Sequence, residues 1–163
     1  MSDPARAAYA AALAMLSRRE LSEAQLRQRL ARREHPPEAV EAAVARLTAS
    51  GLLDDRRVAR AAARTEAQVR SRGRLRVVQR LRALGIDPEV AAAALDEVFE
   101  AVDEEALLEA AIARRLRGPS ARIVDAAHFR RLHQQLIRQG FQPSAVSRAL
   151  KARSNVRSDD EPG

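Results

Sequence analysis

Apolar residues along this chain recur three and four positions apart, the spacing that lays one stripe along an α-helix. Tyr9, Leu13 and Leu16 set a first face. Leu21-Ser22-x-x-Gln25-Leu26 then reads as a helix start. Ser22 takes the N-cap, Gln25 closes a capping box, and Leu21 staples onto Leu26, with Leu30 continuing the stripe. Pro37 suits the first position of a third helix, where its missing N–H is unused. Val40, Val44 and Leu47 form that helix's buried side, and Gly51 closes it in a left-handed cap.

The same grammar continues. Asp54-Asp55 places acids at the positive end of a fourth helix, with Val58, Ala62, Thr65 and Val69 along one side. Gly73 interrupts. Val77, Leu81 and Leu84 mark a fifth helix ended by Gly85, and Pro88 opens a sixth carrying Ala91, Leu95 and Val98 inward. Asp103-Glu104-Glu105 starts a seventh, built on Leu108, Ile112 and Leu116 and stopped by Gly118-Pro119. Phe129, Leu132 and Leu136 follow, ended by Gly140, and Pro143, Val146 and Leu150 give a ninth. No segment alternates apolar and polar residues with β-branched enrichment, so no strand is expected. Residues 154–163 are polar and charged and read as a disordered tail.

The punctuation repeats. LRALGIDPEVAAAAL (Leu81 to Leu95) and LIRQGFQPSAVSRAL (Leu136 to Leu150) share the Leu, Gly, Pro, Ala and Leu positions, and Leu30, Pro37 and Glu38 form a fainter copy. A period of about fifty residues with three helices in each unit is the signature of a stacked array. The expected fold is therefore all-α: three tandem helix-turn-helix-like repeats over 1–51, 52–101 and 102–153, forming an elongated curved array.

Charge sharpens this picture. The 163 residues carry 29 basic and 22 acidic side chains, a net charge of +7, and Lys151 is the only lysine. Such a balance favours polyanions or acidic protein surfaces. Arginines crowd the first unit (Arg18, Arg19, Arg27, Arg29, Arg32, Arg33) and the second, most densely from Arg70 to Arg82. Glu97, Glu100, Asp103, Glu104, Glu105 and Glu109 form an acidic block at the junction of the second and third units. Tyr9, Phe99, Phe129 and Phe141 are the whole aromatic set and sit at core spacings or after a helix end. Base stacking is thus poorly supplied, while sequence-blind phosphate contact stays open.

Catalytic patterns are missing from the sequence. There is no phosphate loop, no H-E-x-x-H and no cysteine. His128 and His133 are badly spaced for one helix face, and His35 precedes Pro36. The expectation is a non-enzyme with no catalytic residue, metal or cofactor. No run reaches the roughly 18 apolar residues a membrane helix needs, so a cytoplasmic protein is expected.

Three stretches resemble the RecX family of RecA regulators: ALAMLSRRELSEAQLRQRL (Ala12 to Leu30), GLLDDRRVA (Gly51 to Ala59) and RGRLRVVQRLRALGI (Arg72 to Ile86). Within them stand Leu13-x-x-Leu16-x-x-Arg19-x-x-Ser22-x-x-x-Leu26 and Gly51-Leu52-Leu53-Asp54-Asp55-x-Arg57, with Arg64 following and Gln139-Gly140-Phe141 in the third unit. Val58 stands where the family usually has Phe. Ser71 and Arg74 stand where it often has Gly and Pro, while Gly73 and Arg76 match. The resemblance implies a monomeric regulator that lodges in the groove of the RecA–single-stranded-DNA filament. It would inhibit ATPase, strand exchange and co-protease activity in DNA repair and the SOS response, touching DNA weakly and without sequence preference. The basic ridge expected to carry this is Arg70, Arg72, Arg74, Arg76 and Arg80, with Arg57, Arg64, Arg19 and Arg27 beside it. Ser22, Leu26, Gly51, Leu52, Asp54, Asp55, Gly73, Gly85, Gly140 and Phe141 are expected to shape the fold. Two other readings compete: a direct helix-turn-helix DNA-binding protein, and a helical adaptor with no nucleic-acid role.

Overall fold

A computed structural model of the chain describes residues 3–117 and 122–154. The expected stop at Gly118-Pro119, and the tail beyond Ser154, lie outside them. Among the described residues the protein is all-helical, with nine α-helices: α1 Pro4–Leu16, α2 Glu23–Ala31, α3 Pro37–Ala49, α4 Asp55–Arg64, α5 Arg74–Ala83, α6 Pro88–Glu100, α7 Glu104–Arg115, α8 Ala126–Gln139 and α9 Pro143–Lys151. An isolated bridge pairs Ile123 with Ser154, and no strand forms.

The helix starts follow the chemistry of the sequence. Asp3, Ser22, Asp103 and Asp125 each accept a backbone N–H from the first turn that follows. At α2 the box is complete: Ser22 Oγ accepts from Gln25 N at 3.1 Å, and Gln25 Oε1 accepts from Ser22 N at 3.2 Å. Asp54 Oδ1 accepts from the Arg56 and Arg57 amides at the head of α4. Pro37 and Pro143 sit at helix starts, and Gly51, Gly85 and Gly140 leave helices in the left-handed region.

The chain folds into two compact units. One comprises residues 1–63 and 79–95, the other 64–78 and 96–163. In the first, α1 and α2 both pack on α3. Met15, Leu21, Leu26, Leu30, Val44, Leu47 and Leu53 are buried together there. Each full Leu burial contributes about 2 kcal/mol. In the second unit α8 and α9 pack on α7 around Leu108, Ile112, Leu132, Leu136, Phe141, Val146 and Leu150.

Two expected stripes need correction. On α1 the buried face is Ala8, Ala12 and Met15; Tyr9 and Leu16 flank it, and Leu13 is 37% exposed. Small residues won this face because the helix approaches α3 closely, where alanines fit and leucine does not. On α4, Val58 is buried, but the inward line continues through Ala59 and Ala63 to Glu66 and Ala67. Thr65 is exposed and Val69 is 79% exposed. The offset is present before the π-helical turn over Thr65–Val69: Ala59, Ala63, Glu66 and Ala67 keep the ordinary i, i+4, i+7, i+8 spacing of one face, one position on from the expected stripe. At the end of that turn Val69 and Arg70 both stand exposed.

Candidate protein and nucleic-acid interface

The arginine-rich stretch runs from the end of α4 into α5. After the π-helical turn, residues 71–73 form no regular structure and α5 begins at Arg74. Arg72 therefore lies two residues before the helix that carries Arg76 and Arg80, and the three do not share one helical ridge. Arg70, Arg76 and Arg80 are exposed; Arg72 and Arg74 are half-buried.

Each cation has its own surroundings. Arg70 Nη1 donates to Glu66 Oε1 at 2.9 Å, and Glu66 is only 5% exposed. Arg74 Nη2 donates to Asp96 Oδ1, and its guanidinium lies 5.5 Å from the centroid of the Phe99 ring. Arg64 Nη2 reaches Glu97 at 3.1 Å. Arg72 Nε is buried with no hydrogen-bond partner. Nearby, Arg115 Nη2 donates to Gln139 Oε1 at 2.7 Å, and Gln139 Nε2 donates to the Ser71 carbonyl at 2.6 Å. Burial, then the charges of Arg114 and Arg72, lower the Arg115 pKa.

The loop before α5 is fixed by backbone contact. Gly73 N donates to the Gln139 carbonyl at 3.0 Å, and Leu75 N to the Gly140 carbonyl at 3.1 Å. A Cβ on Gly73 would sit 2.3 Å from the Gly140 oxygen, and one on Gly140 would sit 2.4 Å from Arg76 Cβ. With φ +101° at Gly140 as well, both positions require glycine for approach, not for flexibility. Phe141 is buried directly after this contact.

The remaining candidates lie in the first unit. Arg27 bonds Glu41 at 2.9 Å and Glu23 at 3.1 Å; the Glu41 hydrogen bond is the main cause of its raised pKa. Arg57 joins Glu20, Asp54 and the carbonyls of Gly51 and Leu52. Both side chains are thus engaged in holding helix starts and the 51–54 turn. Asp55 Oδ1 accepts from Glu23 N at 2.8 Å, and burial is the largest cause of its raised pKa. Ser22 is fully buried; besides capping α2 it donates from Oγ to the Leu84 carbonyl at 2.5 Å. Gly85 lies against Ala24, whose Cβ would be 2.4 Å from any Cβ added there. Leu26 is fully buried, whereas Leu52 is half exposed. Arg19 lies with Arg18, Arg29 and Arg33 around a small cavity.

Sequence reasoning missed Glu66, Arg115 and the bridging role of Gln139. Glu66 carries a legible signal, being the only acid between Asp55 and Asp87. Among the described residues no group of three His, Asp or Glu side chains is placed to hold a metal ion, and no helix is long and apolar enough to cross a membrane.

Comparison with known proteins places this geometry. Residues 8–47 match the model of the RecX first three-helix domain, and residues 54–95 that of its second. The chain is 36% identical over 153 residues to Regulatory protein RecX of Halorhodospira halophila, covering 94% of this chain and 90% of that one. It is 35% identical over 142 residues to Regulatory protein RecX of Stenotrophomonas maltophilia, covering 86% and 83%. Among solved structures, RecX from Lactobacillus salivarius superposes with a TM-score of 0.74 at 20% identity, covering 93% of this chain and 99% of that one. A second regulatory protein RecX gives a TM-score of 0.78 at 24% identity, covering 93% and 73%; both likenesses speak for the fold alone. With two consecutive domain models matched and relatives aligned over almost its whole length, the chain belongs to the RecX family of regulatory proteins.

Proposed function

We propose that this chain is a cytoplasmic, monomeric modulator of RecA that lodges in the groove of the RecA–single-stranded-DNA filament. There it restrains ATPase, strand exchange and co-protease activity. Membership of the RecX family carries the reading. The arginines from Arg70 to Arg80 supply compatible chemistry, since guanidinium forks suit both phosphates and carboxylates. DNA contact is weak and sequence-independent, because the few aromatics are buried or half-buried and offer no stacking platform. No cofactor takes part. The working division is into repeats 1–51, 52–101 and 102–153.

The test is RecA's DNA-dependent ATPase with and without the protein. We expect inhibition by the wild type and sharply weaker inhibition by the triple variant R72A/R76A/R80A. Alanine keeps the Cβ that Arg76 presents to Gly140, and a thermal melt beside the wild type checks that the fold holds. The control triple is R130A/R131A/R138A, three exposed positions on α8. Arg153 does not belong in a control, because it is bound to Glu109 and the Ala149 carbonyl. Equal inhibition by both triples would remove the ridge from the site. A protected duplex site with no effect on RecA would favour the direct DNA-binding reading instead.

A further inference from the structure

A second cluster of arginines, far from Arg70–Arg80 in sequence, surrounds a cavity of about 220 Å³ in the first unit. Arg18 and Arg19 follow the end of α1, Arg29 lies in the last turn of α2, and Arg33 follows that turn. Ala14 and Met15 complete the lining. Met15 is buried and Arg29 half-buried; the other three arginines are exposed.

Charge in this cavity is unbalanced. Among the described residues no carboxylate or carbonyl is hydrogen-bonded to any of the four guanidiniums, in contrast to Arg27 and Arg57 in the same unit. The acids nearest in sequence do not neutralise them: Glu20 is taken by Arg57, and Glu34 follows the cluster in a left-handed backbone conformation without forming an ion pair. The negative ends of α1 and α2 lie beside these cations and make them tolerable there. A helix end offsets a fraction of a charge, so most of the +4 is left facing the cavity.

We propose that Arg18, Arg19, Arg29 and Arg33 form a phosphate-binding pocket that takes the backbone of single-stranded nucleic acid, a contact separate from the Arg70–Arg80 stretch. The cavity is smaller than the roughly 300 Å³ at which small-molecule sites begin, so it receives a group on a larger ligand. Four forks in one place call for more than one negative charge, each with free oxygens, which neighbouring phosphodiesters provide. The apolar floor of Ala14 and Met15 accepts sugar carbons and reads no base, so binding is blind to sequence. Only the presence of DNA at the filament is shared with the RecA reading; the pocket itself is tested without RecA.

The probe is fluorescein-labelled oligo-dT, titrated with the full chain at several salt concentrations. Each phosphate contact on a single strand contributes about 0.7 to the slope of log affinity against log salt. The quadruple variant R18A/R19A/R29A/R33A should lower that slope by about 1.4 if two phosphates are held, and weaken binding at low salt at least several-fold. The doubles R18A/R19A and R29A/R33A, on different elements, should each give part of the loss, which keeps the test valid if the quadruple fails to fold. The surface control R130A/R131A should leave the slope unchanged. The pocket is refuted if wild-type protein fails to bind oligo-dT at low salt, or if the slope survives the doubles. Dependence on these arginines for binding labelled polyglutamate, with oligo-dT unaffected, would overturn it in favour of an acidic protein segment. Loss of the salt slope with no effect of the protein on RecA would sink only the earlier reading.

Discussion

Ser71 holds φ at +52°, a left-handed conformation that a side chain adopts at a cost of about 1–2 kcal/mol. Its carbonyl is nevertheless fixed by Gln139, so the loop keeps its path without the glycine often found there in the family. S71G should therefore raise stability by about 0.5–1 kcal/mol, after the entropy cost of glycine, as read by urea denaturation. G73A should do the opposite, costing about 3 kcal/mol, because its methyl meets a backbone carbonyl that has no rotamer to change. Asp55 supplies a pH test. Its folded pKa lies above the ordinary 3.8, chiefly through burial, so the folded state binds more protons than the unfolded one in the range just above that value. Stability from this group falls as pH rises through the window. D55N should remove that part of the slope, seen as the difference between wild-type and variant denaturation midpoints from pH 3.5 to 6. These residues differ in how visible they are beforehand. Ser71 and Asp55 are named by motif, but a left-handed φ or a half-buried carboxylate depends on contacts from distant segments that no local pattern encodes.

At the scale of elements, the caps were plain in the sequence because each uses one side chain and its own neighbours. Ser22-x-x-Gln25 formed the box it spells. Its second bond, to the Leu84 carbonyl, was invisible, since 62 residues separate donor and acceptor. S22A should thus cost more than an ordinary cap, about 2–3 kcal/mol: about 1 for the cap and the rest for a buried carbonyl left without its donor. A thermal melt beside the exposed-cap variant D3A, expected near 1 kcal/mol, separates the two contributions. The stripe on α4 misled for a related reason. The expected line of Val58, Ala62, Thr65 and Val69 and the adjoining line of Ala59, Ala63, Glu66 and Ala67 have the same kind of helical spacing, so which one faces inward is set by tertiary contacts and not by periodicity. The face that is buried carries an acid, Glu66, and leaves Val69 exposed.

For the whole molecule, net charge suggests a class of partner and says nothing about location. Arginines that look alike in a list divide into those tied to carboxylates, such as Arg27, Arg57 and Arg64, and those facing a cavity with no acid, such as Arg19. Only three-dimensional proximity makes that division. The nine helices among the described residues, their order and most of their boundaries were legible, because a helix is a local object; the pairing of residue 73 with 139 and 140 was not.

Helices α4, α5 and α6 each cross from one compact unit into the other, at 63/64, 78/79 and 95/96. The segment of chain that recurs is consequently not the segment that folds. A protease cut or a gene truncation at a repeat boundary such as 101/102 would not release a finished module: it would strip residues 64–78 of Gln139, Gly140 and the rest of α7–α9. We expect a 1–101 fragment to keep slow amide exchange over α1–α3 and to lose it from 64 to 78. Replacing only residues 52–101 with those of a relative would break contacts made on both sides of that segment, such as Asp55 with Glu23 and Gly73 with Gln139.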